Sequence, residues 1–143
     1  MVAEVLPPEV HLEPPGRVLV VEDQEALRLA LSELLTGEGF LVHLAGDGIQ
    51  AVEAARRFQP EVTLMDLRMP GWDGLEATQQ IRGLDPISQV VLFTASDDLA
   101  TRRWARDQGV FCCLRKGVAP GLVIGAVTQA LLYKRRLESS PDE

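Results

Sequence analysis

Five short runs rich in branched aliphatic residues recur along the chain, at Val18 to Val21, Leu41 to Ala45, Val62 to Met65, Val90 to Phe93 and Phe111 to Leu114. Segments with helical spacing lie between them. Strands that alternate with helices pair in parallel, because parallel neighbours need a crossover connection, so the chain is restricted to an α/β layer fold. Leu27, Ala30, Leu31, Leu34 and Leu35 share one helical face, and Gly37 with Gly39 supplies a stop. Ile49, Val52 and Phe58 mark a second helix, and Leu75, Thr78 and Ile81 a third. Asp97 to Gln108 has Leu99, Ala100, Trp104 and Ala105 among many charges, which predicts a weakly held fourth helix. The fifth, Pro120 to Leu137, opens on proline and closes on Lys134, Arg135 and Arg136, cations that suit a helix C-terminus.

At 143 residues the chain is long enough for one full core, since a domain of this size buries about 70% of its unfolded surface. Residues 1–16 hold four of the nine prolines and no apolar period, so they are expected to form a flexible arm before a folded domain at 17–137 and a polar tail at 138–143. The net charge of −7 argues against a module that neutralises nucleic-acid phosphates. Adjacent Cys112 and Cys113 make no disulfide framework, and the N-terminus lacks the charge pattern of a signal peptide. No run reaches the length of about 20 apolar residues that a membrane span requires. A cytoplasmic protein is expected.

In a parallel α/β sheet, ligands bind beyond the carboxyl ends of the strands. Glu22 and Asp23 follow the first run, Asp66 the third, Thr94 the fourth, and Lys116 closely follows the fifth. Three carboxylates brought together repel one another, and at about 5 Å and an effective dielectric near 20 each charged pair costs roughly 3 kcal/mol. A hard divalent cation offsets that, and Mg²⁺ is the ion that needs only one or two carboxylates plus phosphate oxygens. Lys116 adds a cation for a phosphate and Thr94 a hydroxyl donor. The set suits phosphoryl transfer to a carboxylate nucleophile.

These residues in order, Val18-Leu19-Val20-Val21-Glu22-Asp23, Leu64-Met65-Asp66-Leu67-Arg68-Met69-Pro70-Gly71-Trp72-Asp73-Gly74, Phe93-Thr94-Ala95 and Lys116, closely resemble the receiver domains of two-component response regulators, over about residues 17 to 137. The layout is similar to single-domain, chemotaxis-type regulators. The resemblance implies a doubly wound, flavodoxin-like sheet of five parallel strands in the order 2-1-3-4-5 with helices on both faces. It implies a phosphorelay role in signal transduction: Asp66 accepts a phosphoryl group from a sensor histidine kinase or phosphotransfer protein. Glu22, Asp23, Asp66 and the backbone carbonyl of Arg68 are implied to hold Mg²⁺. Lys116 and Thr94 are implied to contact the acyl phosphate and to drive the switch in partner binding. The phosphoprotein acts on itself only, gaining and losing its own phosphate, and is not expected to be an enzyme otherwise.

Two positions depart from the family pattern. Cys113 stands where the family usually has its switch aromatic, and Gly117 follows Lys116 where the family has a proline. A cis bond before a non-proline residue costs roughly 2.5–4 kcal/mol, so a trans bond and an altered loop are expected. Arg68 and Ser96 are expected to flank the path of hydrolytic water. The fifth helix has apolar residues all round, and with the fourth helix and fifth strand it is a candidate homodimer surface.

Three other readings compete. Gly46-Asp47-Gly48-Ile49-Gln50-Ala51 fits a dinucleotide-binding pattern, but Asp47 would face the pyrophosphate. A haloacid-dehalogenase-like phosphatase also uses an aspartate nucleophile, yet usually carries a second Asp where this chain has Arg68. A phosphorylation-independent adaptor on the same fold is the main alternative. The kinase, stimulus and output partner are not legible, and the polar end is compatible with a single-domain regulator or with a receiver cut from a longer protein.

Overall fold

The computed structural model describes residues 14–68, 74–95 and 98–139. The elements alternate throughout: β1 (Arg17–Val21), α1 (Glu25–Gly37), β2 (Leu41–Ala45), α2 (Gly48–Phe58), β3 (Val62–Met65), α3 (Gly74–Leu84), β4 (Gln89–Thr94), α4 (Leu99–Asp107), β5 (Cys112–Arg115) and α5 (Pro120–Glu138). All strand pairs are parallel and the order is β2-β1-β3-β4-β5, as the resemblance implies.

Alternation along the central strands divides the core into two layers, because successive side chains of a strand point to opposite faces. Leu19, Val21, Met65, Val90 and Leu92 meet Ala51, Val52 and Ala55 of α2, Ala77 and Ile81 of α3, and Ala105 of α4. Val18, Val20, Leu64, Val91 and Phe93 meet Leu31 and Leu35 of α1 and Val123, Val127, Ala130 and Leu131 of α5. Strands buried on both faces read as continuous apolar runs, which is why β1, β3 and β4 stand out in the sequence. The edge strand β2 instead alternates exposed and covered residues, with His43 set against the Phe58 ring at 5.1 Å.

The strand order reverses between β1 and β3, and the crevice beyond their carboxyl ends is where such sheets bind ligands. Backbone bonds carry each ladder one residue past the strand: Glu22 N–H donates to Ala45 O at 3.1 Å and Asp66 N–H to Val21 O at 3.0 Å. Both carboxylates thus project from backbone fixed by the sheet.

The boundaries of α4 and β5 differ from the sequence expectation. α4 begins at Leu99 rather than Asp97, because Asp98 is its N-cap and accepts from Thr101 N–H at 2.8 Å. β5 runs one residue later than expected, since Cys112 pairs with Val91 and Arg115 with Thr94, so Lys116 follows the strand directly. Ala105 is the buried residue of α4, in keeping with a weakly held helix, while Trp104 and Cys113 pack partly buried on the same core layer. On α5, Leu122, Leu132, Tyr133 and Leu137 remain exposed. Among the described residues no helix is long and apolar enough to cross a membrane.

Candidate functional site

Glu22, Asp23 and Asp66 each place a carboxylate oxygen within 4.8 Å of the others. Glu22 and Asp66 are almost wholly buried, whereas Asp23 is exposed at the mouth. Lys116 reaches across from the end of β5, with its ammonium nitrogen 3.0 Å from Asp66 Oδ2 and 3.0 Å from Glu22 Oε1. Asp66 Oδ1 accepts from the Arg68 N–H at 3.1 Å, and Glu22 Oε2 from the Gln24 N–H at 3.0 Å.

Burial pushes the Glu22 carboxyl above its ordinary range, and the Asp66 charge adds to that, while the Gln24 N–H and Lys116 only partly oppose it. Burial works against the Lys116 ammonium too, but its bonds to Asp66 and Glu22 prevail and its pKa is raised. Lys116 is therefore a fixed cation at neutral pH.

A divalent cation fits this donor set. Hard carboxylate oxygens converge from two loops, and buried Glu22 Oε1 shares the single Lys116 ammonium with Asp66 Oδ2, which lies 3.0 Å from each. Three carboxylates around one ammonium keep an excess of negative charge, and a metal ion would relieve it.

Thr94 ends β4 and is buried, and its carbonyl accepts from the Lys116 N–H at 2.9 Å, which ties the two residues together. It lies inside the strand rather than after it. The loop after Lys116 turns through Gly117 at φ +98°, a left-handed conformation that glycine adopts at little cost. Arg68 is exposed beside the site, while Ser96 and the segment Met69-Pro70-Gly71-Trp72-Asp73 lie outside the described residues. The dinucleotide pattern at Gly46 fails on geometry: Asp47 Oδ1 accepts from Gln50 N–H at 2.8 Å and caps α2, occupying the position a pyrophosphate would need.

Two further residues support the site from behind. Arg28 of α1 donates to the carbonyls of Glu22 and Asp23, at 2.9 and 3.4 Å. Gly74 opens α3 hard against the nucleophile loop, where an added Cβ would lie 2.6 Å from Leu67 Cα and 2.7 Å from the Asp66 carbonyl oxygen. Both neighbours are backbone and cannot swing aside. Gly74→Ala is therefore expected to cost about 1–3 kcal/mol of stability, as urea melts would read. Parental stability would mean that the loop yields freely.

Comparison with known proteins places the chain among signalling domains of one family. The family model for the response regulator receiver domain matches residues 18–128. The transcriptional regulatory protein PdtaR of Mycobacterium tuberculosis is 35% identical over 130 residues, covering 90% of this chain and 63% of that protein. The response regulator MprA of Mycobacterium leprae is 36% identical over 126 residues, covering 88% of this chain and 55% of that protein. The chain thus spans less than two thirds of the length of these relatives. A CheY-like receiver domain protein from Methanospirillum hungatei shares the fold with a TM-score of 0.82 at 20% identity, over 85% of this chain and 98% of that one.

Proposed function

The chain belongs to the response regulator receiver family of two-component systems, and from that premise we propose that Asp66 takes a phosphoryl group from a phosphohistidine of a sensor kinase or phosphotransfer protein. The observation that carries this is the buried Glu22–Lys116–Asp66 arrangement, with Lys116 3.0 Å from each carboxylate. One oxygen of Asp66 attacks phosphorus in line. The phosphorus–nitrogen bond breaks, its electron pair stays with the departing imidazole, and Asp66 becomes an acyl phosphate. Glu22, Asp23, Asp66 and the Arg68 carbonyl would hold Mg²⁺, which supplies positive charge to the phosphoryl oxygens when bound.

Phosphorylation replaces a monoanion by a group of about two negative charges. Lys116 then follows the phosphoryl oxygens, and the Thr94 hydroxyl turns to donate to one of them, shifting the end of β4. The loosely packed α4 is the element such a motion displaces at least cost. With Cys113 in place of an aromatic, the readout runs through the end of β4 and α4 rather than through a swinging ring. Hydrolysis by water attack on phosphorus restores the Asp66 carboxylate, so the chain acts catalytically on itself alone. A cytoplasmic setting and homodimerisation through α4, β5 and α5 belong to the same reading.

Arg68 stands exposed two residues after the nucleophile and is proposed to set the lifetime of the phosphate by contacting or shielding it. Arg68→Ala is expected to change the decay rate of the acyl phosphate several-fold, and a decay equal to the parent's would remove that role. The function itself is tested by incubation with acetyl phosphate, with and without Mg²⁺, followed by intact mass. A Mg²⁺-dependent gain of one alkali-labile phosphate supports it. No gain with the fold intact would favour the phosphorylation-independent adaptor, and steady turnover of a phosphate ester would favour the phosphatase.

A further inference from the structure

Arg28 is the fourth residue of α1, close to the positive end of the helix dipole, where a cation is ordinarily disfavoured. α1 also begins without a side-chain cap from Gln24. The guanidinium compensates by turning back over the preceding loop. Its Nη1 donates to the Glu22 carbonyl at 2.9 Å and lies 3.4 Å from the Asp23 carbonyl. It also lies beside the neighbouring loop, since a Cβ at Gly46 would lie 3.2 Å from the same nitrogen, and Gly46 itself is held by its N–H donating to Gln50 Oε1 at 2.8 Å. One side chain thus holds the backbone of both acidic residues and sits beside the turn that follows β2.

We infer that Arg28 is a positioning residue for the metal-binding loop: by pinning the backbone carbonyls of Glu22 and Asp23 it fixes where their carboxylates stand relative to Asp66. The inference rests on the proposal that these carboxylates hold Mg²⁺. The alternative role, a charge that merely tempers the acidic cluster, makes the opposite demand. Removing a nearby cation without disturbing the loop would tighten cation binding, whereas removing an anchor loosens it.

The test is a Mg²⁺ titration of the unphosphorylated full chain, followed by backbone amide NMR shifts, for the parent, Arg28→Met and Arg28→Lys. Methionine keeps the length and helix preference without charge or donors. Arg28→Met is expected to bind Mg²⁺ about tenfold more weakly, the scale on which ligand-orienting partners act, with Arg28→Lys between it and the parent. Equal or tighter Mg²⁺ binding by a folded Arg28→Met would overturn the inference. If Arg28→Met does not fold, Arg28→Lys decides: weaker binding upholds the anchor and parental affinity overturns it. A parent chain with no saturable Mg²⁺ shift would instead defeat the metal reading, an outcome visible before any variant is made.

Discussion

Glu61→Ala is expected to destabilise the fold by about 3 kcal/mol, the low end of the cost of breaking a buried ion pair. Glu61 lies at the end of the sheet away from the acidic site, 4% exposed just before β3. Its Oε1 accepts from the Arg17 N–H at 3.2 Å and from Arg135 Nη2 at 3.1 Å, and its Oε2 from Arg135 Nε at 3.0 Å. Buried Lys134 stands 3.9 Å away and is also paired with Glu138. The Arg135 guanidinium donates as well to the Pro14 carbonyl, so one carboxylate joins the start of β1, the approach to β3 and the last turns of α5. Truncation would leave these cations facing one another without their anion. Arg17 and Arg135 keep access to water, which holds the cost to the low end.

The pH dependence of the same group has a definite sign. Burial would raise the Glu61 carboxyl, but hydrogen bonds from Arg135 and the Arg17 N–H, together with their charges, hold it below the ordinary value of 4.5. Its contribution is therefore fully present above pH 4.5 and is lost as pH falls through the lower folded value. The stability gap between the parent and Glu61→Gln should stay level near neutrality and close in acid. Denaturant melts at several pH values read it, and a gap that widens in acid would contradict the assignment.

Lys116→Ala is expected to slow phosphorylation from acetyl phosphate by about 10²–10³-fold, the scale on which a preorganised charge partner acts in phosphoryl and acyl transfer. It also leaves Glu22 and Asp66 buried as two acids with no cation between them. Mg²⁺ then becomes the chief source of neutralisation, so the rise in melting temperature on adding Mg²⁺ should be larger in Lys116→Ala than in the parent. Equal rates of phosphorylation would remove Lys116 from the chemistry. An equal Mg²⁺ shift would mean that the ammonium and the metal do not serve the same charges.

The sheet was legible because β1, β3 and β4 are buried on both faces and so appear as unbroken apolar runs, each followed by a polar residue. Glu22, Asp66 and Thr94 could be placed at one sheet edge from that punctuation alone. The register of β5 was not, since Phe111 is as apolar as the strand it precedes and only pairing with β4 decides where the ladder starts. α4 was misplaced at its start because Asp97 and Asp98 are equally good caps in sequence and the Thr101 N–H selects the second. Lys134 was readable as a helix-end cation, yet it is buried, because Glu61 and Glu138 lie within reach. That basal cluster joins residues 74 apart, and no periodicity reports such a pairing. Arg28 gives no signal in the sequence for a related reason: its partners are backbone carbonyls, which every sequence has.

The most direct measurement traps the phosphoryl group where it forms. The parent chain and Asp66→Asn, each treated with acetyl phosphate and Mg²⁺, are reduced with borohydride, which converts a phosphoaspartyl residue to homoserine, and then mapped by peptide mass. Homoserine at position 66 in the parent, absent without Mg²⁺ and absent from Asp66→Asn, is the expected result. Homoserine at another acidic residue, or none in a folded parent chain, would contradict the assignment of Asp66 as the phosphoacceptor.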